Sequence, residues 1–417
     1  MRVNLNTALN DSHIDATQGN TQRQIAISVS ATQDSSDRTL PLNLGLILDH
    51  SGSMTGKPMK TVKEAAMRLV EGLGPSDRLC VIAFDHKAKM VVPNQEVDNI
   101  DLVKALIKKL EPAGGTSIDE GMKLGIKEVA LSKDNRVSQI FLLTDGENEH
   151  GDNERCLKLA QVSAEYNITV NTLGFGNHWN QDVLEKIADS ARGTLCYIEQ
   201  PEQALTEFSR LFTRIQSVGL TNAYLCLELA PNVRLAEFKP VAQVEPETVE
   251  LSAKQEGNAY TVRLGDLMKE KSRVVLINLY LSQLSPGSQV IGTAQVRYDD
   301  PSLSKTGLLS EKNPLTVEVQ PVYQPKVNSN VQKSILTLAK YRQTQLAEAK
   351  LNQGDRQGAA TLLQTAAKTA LQLGDQNAAT ILQTNATQLQ TGAELSEAQR
   401  KKTRIVSKTV INTDPEI

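Results

Sequence analysis

Apolar and polar residues follow different rhythms along this chain, and the changes of rhythm divide it. Residues 41–49, PLNLGLILD, form the near-continuous apolar run expected of a strand buried on both faces. A helix is predicted over 59–72, because Val62, Ala65, Ala66, Leu69 and Val70 fall on one stripe. The same reading predicts strands over 78–84, 88–92, 138–144, 169–175 and 194–198. Between and after them lie helices over 98–110, 117–130, 153–166, 181–189 and 203–217. Strands that alternate with helices imply a mostly parallel sheet with helices on both faces, an α/β doubly wound unit.

On either side of this unit the period shortens to two. Residues 24–30, QIAISVS, alternate polar and apolar as a half-buried strand should. Residues 219–320 hold further short alternating segments, at 224–229, 248–251, 260–264, 274–281, 289–298 and 315–319. Turn residues such as Pro231-Asn232 and Ser285-Pro286-Gly287 separate them. This pattern predicts an antiparallel β-sandwich. The strands before residue 40 need a sheet, and the parallel one is already complete. They are therefore expected to join the sandwich, which makes the α/β unit an insertion within it.

Beyond residue 326 the period becomes helical. Val331, Ile335, Leu338, Tyr341 and Leu346 form one stripe, and Ala359, Ala360, Leu363, Ala366, Ala367 and Ala370 a second. The steps Gly354-Asp355 and Gly374-Asp375 each end one helix with glycine and cap the next with aspartate. The expected organisation is N-terminal strands over 1–40, the α/β domain over 41–217 and the sandwich over 218–325. A helical region over 326–395 and a flexible basic tail over 396–417 complete it. Within that tail Thr403, Ser407 and Thr409 stand among lysines and arginines and are candidate phosphorylation sites.

Composition narrows the function classes. The 417 residues carry a formal charge of −3 spread over both signs, which gives no electrostatic case for nucleic acid. The longest apolar runs are strand-sized, short of the roughly 20 residues that cross a bilayer, and the first twenty residues lack the apolar core of a secretory signal. No membrane contact and a cytoplasmic address are expected. Cys80, Cys156, Cys196 and Cys226 are scattered without a CxxC pair, so they are expected to be reduced thiols filling apolar space rather than zinc ligands.

Candidate chemistry gathers at three strand ends. Asp49-His50-Ser51-Gly52-Ser53 follows the first buried strand, and residues spaced by two in such a turn can aim three oxygens at one point. Gly114-Gly115-Thr116 adds a hydroxyl after a tight glycine turn. The strand FLLT ends in Asp145-Gly146 and adds a second carboxylate. In open α/β sheets ligands bind beyond the carboxyl ends of the strands. Carboxylates and hydroxyls are hard ligands, suited to magnesium, manganese or calcium.

DHSGS, GGTS and LLTDGEN, in that order, resemble the metal-ion-dependent adhesion site of the von Willebrand factor A domain. The resemblance covers roughly 41–217, including LGFGNHWNQDVLEKIAD, which is similar to the family's fifth strand and following helix. It implies that Ser51, Ser53 and Thr116 contact a Mg2+ ion (alternatively Ca2+ or Mn2+), with Asp49 and Asp145 acting through water or as alternating ligands. It also implies that an aspartate or glutamate of a protein partner completes the metal shell. His150, His178 and Trp179 are expected at the rim, where they would help to select that partner.

Catalysis fits these residues poorly. An acid-aspartate phosphatase needs a second acid two positions after the first, where Ser51 stands. The GxSxG of a serine hydrolase is absent around Ser51 and Ser53, and Gly52–Lys57 has the wrong spacing for a phosphate loop. The expected function is therefore a metal-dependent protein-binding adaptor, not an enzyme. Two alternatives use the same domain: a self-assembling structural protein with the site between subunits, or a chaperone-type co-factor of an AAA ATPase.

Overall fold

The computed structural model describes residues 2–32, 39–133, 135–269 and 271–409. Three N-terminal strands, β1 (Arg2–Leu9), β2 (His13–Asp15) and β3 (Asn20–Thr32), precede the α/β unit. Its first half runs β4 (Leu42–Asp49), α1 (Lys57–Glu71), β5 (Arg78–Phe84), β6 (Ala88–Glu96) and α2 (Ile100–Lys108). The second half runs α3 (Ile118–Ala130), β7 (Val137–Thr144), α4 (Asn153–Glu165), β8 (Thr169–Phe175), α5 (Gln181–Ser190), β9 (Arg192–Ile198) and α6 (Ala204–Gln216).

The strand order of this sheet is β6-β5-β4-β7-β8-β9, parallel except for β6. Every residue of β4, β7 and β8 is buried, which is why those segments read as unbroken apolar runs. One face is covered by α1, α2 and α6, the other by α3, α4 and α5. Connections leave β4 toward β5 on one side, and β7 lies on the other. The order reverses there, and this crevice is where a doubly wound sheet receives its ligand.

The next segment holds β10 (Val218–Leu229), β11 (Val233–Leu235), β12 (Val241–Glu245), β13 (Val249–Glu250) and β14 (Ala253–Glu256). It continues with β15 (Ala259–Met268), β16 (Arg273–Ser282), β17 (Gly287–Asp300), β18 (Lys305–Leu309) and β19 (Asn313–Gln320). These strands form two sheets, and both take in N-terminal strands: β1 and β3 extend one beside β16, and β2 edges the other beside β19. Ile25 pairs with Ile277 and Ile27 with Val275, across about 250 residues of chain. One apolar core lies between the sheets, built from Ile25, Ile27 and Val29 on one side and Leu225, Leu227 and Val296 on the other. The pairing is antiparallel except between β2 and β19, which are parallel.

Four helices follow: α7 (Ser329–Asn352), α8 (Arg356–Gln372), α9 (Gln376–Gln390) and α10 (Glu397–Lys408). Asp355 and Asp375 cap α8 and α9 by accepting bonds from Gly358 N and Ala378 N, after Gly354 and Gly374 with φ of 80° and 77°. Among the described residues no helix is long and apolar enough to cross a membrane.

The segment expected to be a flexible tail is corrected by α10. Ser396 and Gln399 form a reciprocal capping box at its start. Its basic residues face the α/β unit: Arg404 Nη2 lies 2.7 Å from Glu185 Oε2, Lys408 Nζ 2.9 Å from Glu185 Oε1, and Lys402 Nζ 2.8 Å from Glu199 Oε1. On its other side, Lys340 of α7 donates to Val406 O and Thr409 O at 3.0 and 3.1 Å, satisfying carbonyls at the helix end. What looks like a solvated charge run is an interface. Residues 410–417 of the expected tail lie outside the described residues.

Candidate metal centre

Full burial of β4 carries Asp49 to the carboxyl end of the sheet with its side chain shielded from solvent. The Asp49 carboxylate accepts a bond from Ser51 N at 2.8 Å, a local Asx-type turn, and another from the Thr144 hydroxyl at 2.6 Å. Ser51 Oγ and Ser53 Oγ lie 3.0 Å apart, and Ser53 donates to Asp145 Oδ1 at 2.6 Å. Thr116 faces the same point: a β-carbon on Gly146 would lie 3.3 Å from Thr116 Oγ1 and 3.9 Å from Ser53 Oγ. The five residues selected from sequence thus converge from three loops.

Backbone bonds fix those loops to one another. Gly52 N donates to Gly114 O at 3.0 Å, and Ala113 N to His50 O at 2.7 Å. Gly114 has φ of 70°, and a β-carbon there would sit 2.6 Å from His86 Nδ1, so both conformation and space demand glycine. Two residues that matter here were not singled out from sequence. Thr144 bridges β7 to Asp49, and the Asn148 side chain accepts from Ile118 N at 2.7 Å. That second bond caps α3, whose own N-cap residue Ser117 makes no side-chain cap bond. Asn148 was visible within LLTDGEN, but its partner lies 30 positions away, beyond any local pattern.

Electrostatics at this point are unfavourable for two anions. Burial pushes the Asp49 carboxyl up to about 6, against the hydrogen bonds from Thr144 and Ser51. Asp145 is also raised by burial, while the Ser53 hydroxyl and His178 pull it down. Among the described residues no lysine or arginine forms an ion pair with either carboxylate, and no three His, Cys, Asp or Glu side chains cluster as a metal site. The donor set is two carboxylates and three hydroxyls. It fits a hard divalent cation, whose charge would offset this burial, and it lacks the soft ligands of zinc or copper sites.

At the rim, His150 is exposed and its ring lies over Gly115, where a β-carbon would approach it to 2.9 Å. His178 is also exposed. Trp179 is corrected: only 2% of it is accessible, its indole donates to Gly176 O at 2.8 Å, and its ring packs against Tyr197 in a tilted arrangement, 5.6 Å between centroids. Lys401 of α10 covers it, 4.2 Å from the ring centroid and donating to Trp179 O at 2.7 Å. The tryptophan therefore anchors α10 instead of meeting a partner. Two of the three candidate phosphorylation sites are corrected likewise. Ser407 is fully buried, and Thr403 is 5% exposed and accepts from Asn385 Nδ2 at 2.7 Å. Thr409 is exposed and donates to Ile405 O. All four cysteines are free, Cys226 only half-buried, and burial pushes the thiols of Cys80, Cys156 and Cys196 up to about 12.

A doubly wound sheet with this site matches the family model of the von Willebrand factor type A domain over residues 43–211. Residues 329–413 match a second model, the Sll0103-like C-terminal alpha-helical domain, which takes α10 in with the helices before it. A Synechocystis protein described as uncharacterized protein sll0103 is 61% identical over 99% of this chain and 98% of its own length. The chain belongs to this Sll0103-like group of von Willebrand factor A proteins. Inter-alpha-trypsin inhibitor heavy chain H2 of Mus musculus is 27% identical over 44% of this chain, which spans only 20% of that relative's length. Among solved structures, a von Willebrand factor type A protein from Catenulispora acidiphila has the same fold, with a TM-score of 0.83 over 98% of this chain and 97% of that one at 18% identity. The ArnB paralog VWA2 from Sulfolobus acidocaldarius reaches 0.60 over 98% of both chains at 14% identity.

Proposed function

We propose that this protein is a metal-dependent binding protein and not an enzyme. Asp49, Ser51, Ser53, Thr116 and Asp145 would hold a divalent cation, magnesium first and calcium or manganese as alternatives. A partner protein would present an aspartate or glutamate to it. The observation that carries this reading is a fully buried Asp49 and a half-buried Asp145 set among hydroxyls, with no lysine or arginine ion-paired to either among the described residues. When bound, the cation supplies the positive charge that makes an incoming carboxylate attractive there. The chain's own residues do the rest: Thr144 and Ser51 N orient Asp49, Ser53 orients Asp145, and Asn148 holds the Thr116 loop against them.

The pairing of β3 with β16 supports reading the α/β unit as an insertion that the β-sandwich presents to a partner. Calorimetric titration with Mg2+, Ca2+ and Mn2+ tests the metal reading. Saturable binding at one site is expected, lost in Asp145→Ala and weakened at least tenfold in Ser53→Ala. Equal binding by wild type and Asp145→Ala would end it. Sizing chromatography with magnesium and then with chelator separates a foreign partner from self-assembly, since only the latter changes the elution of the pure protein.

A further inference from the structure

Beside the metal centre, between the flanks of α1 and the end of α2, lies a cavity of about 360 Å³. Its apolar walls are Met59, Met67 and Pro112, and Lys60, Lys63 and Lys108 surround it, with Glu64 the one acid in the lining. Its lining reaches the loops of the candidate metal centre through Thr55, two residues after Ser53, and Pro112, which immediately precedes Ala113 and Gly114, bonded to His50 and Gly52. Nearby lysines on the same helices are neutralised: Lys57 pairs with Glu202 and Lys104 with Glu71. Lys60, Lys63 and Lys108 form no ion pair among the described residues, and Lys63 Nζ donates only to the backbone of Lys108, at 2.9 Å. Three ammonium groups against a single carboxylate, around an unbranched, adaptable methionine floor, match an acidic segment that also carries an apolar side chain.

We infer that this groove is the second half of the partner site: it seats a large apolar side chain of the same acidic segment whose carboxylate goes to the metal centre. Lys60, Lys63 and Lys108 read further acidic residues flanking that side chain. The inference rests on the metal-dependent reading above and names the chemistry of its partner, a linear acidic segment with an aliphatic or aromatic anchor. Steering by the lysines raises the rate of encounter and makes it dependent on salt, while the methionines decide which anchor stays.

Phage-displayed random dodecapeptides selected on the full chain in magnesium test this, with Asp145→Ala protein as the counter-selection. The expected consensus holds an aspartate or glutamate, a large apolar residue and a second acid. A fluorescein-labelled consensus peptide should then lose affinity at least tenfold in the Lys60→Glu/Lys63→Glu/Lys108→Glu protein and several-fold in Met67→Gln, whose side chain is partly exposed. Far-ultraviolet circular dichroism and unchanged Mg2+ binding establish that these variants are folded. Magnesium-dependent peptide binding that ignores the lysine and methionine changes overturns the groove and leaves the metal reading standing. Binding that ignores both chelator and Asp145→Ala overturns the metal reading, and this inference with it. A selection that yields no magnesium-dependent consensus of this composition also overturns the inference.

Discussion

At the carboxyl end of the central sheet, Asp49 and Asp145 share a cleft with three hydroxyls; along α5, Asp182, Glu185 and Asp189 share a face with Arg404 and Lys408 of α10. Both are concentrations of acid on one α/β unit, and each has a buried member, Asp49 in the first and Glu185 in the second. In the α5 cluster the chain supplies its own cations. Lys408 Nζ lies 2.8 Å from Asp189 Oδ1 and 2.9 Å from Glu185 Oε1. Burial works against the Lys408 charge, but Asp189 and Glu185 outweigh it and hold the ammonium above its ordinary value. Burial likewise pushes Asp189 upward while Lys408 pulls it down. With both carboxylate oxygens in contact with Lys408, the pair is charged at neutral pH. In the candidate metal cleft no lysine or arginine among the described residues does the same work, and only His178 acts on Asp145, which is the contrast the proposed cation site rests on. The difference teaches that a buried acid cluster is structural or functional according to whether the fold brings the counter-charge to it.

The comparison can be broken most forcefully from the α10 side. Lys408→Met leaves Glu185 and Asp189 short of a partner in a shielded site, and truncating one side of such a pair typically costs about 3–5 kcal/mol. Urea unfolding should register a loss of that order, with Lys408→Arg recovering much of it. A change within experimental scatter would mean that α10 is held by its other contacts, and the contrast would fail.

A matched pair of neutral substitutions sharpens it. In chelator at neutral pH, Asp49→Asn should cost nothing and should raise stability, because it removes a charge that burial disfavours while keeping a shape able to bond Ser51 N and Thr144. Glu185→Gln in the same buffer should cost about 2–3 kcal/mol, since it strips a counter-charge from both Arg404 and Lys408. Equal costs would show that the two clusters are not different in kind.

A third test is in pH. The folded Asp49 carboxyl lies at about 6 against an ordinary 3.8, so between those values the folded state holds a proton that the unfolded chain releases. Metal-free stability from this group is therefore full below about pH 4 and lost as pH rises through about 6. Thermal unfolding in chelator should show this fall in wild type and its absence in Asp49→Asn. Magnesium should remove it, because the bound cation favours the ionised form.

Much of this was legible in the residues, for reasons that can be stated. The buried strands are apolar throughout, and the helices between them keep their stripes, so the order of α1 to α6 followed from periodicity. The candidate metal residues could be singled out because each sits within a few positions of a strand end or glycine turn. Trp179, Thr403 and Ser407 misled for the opposite reason. Each lies in a polar, loop-like or basic stretch: Trp179 is covered by Lys401, 222 positions away, Thr403 meets Asn385 of α9, 18 positions away, and Ser407 is buried as α10 packs into the fold.

By itself, the sequence determined the local things: where strands and helices run, which turn aims Asp49, Ser51 and Ser53 at one point, and which apolar faces need cover. Only the tertiary structure decided that β3 pairs with β16 across the whole α/β unit, that Asn148 caps α3, and that the basic helix α10 neutralises α5 while no lysine or arginine among the described residues pairs with the carboxylates of the candidate metal cleft. The physical reason is range. Periodicity and turn chemistry act over a few residues, whereas the pairing of a charge depends on which distant surface burial brings against it.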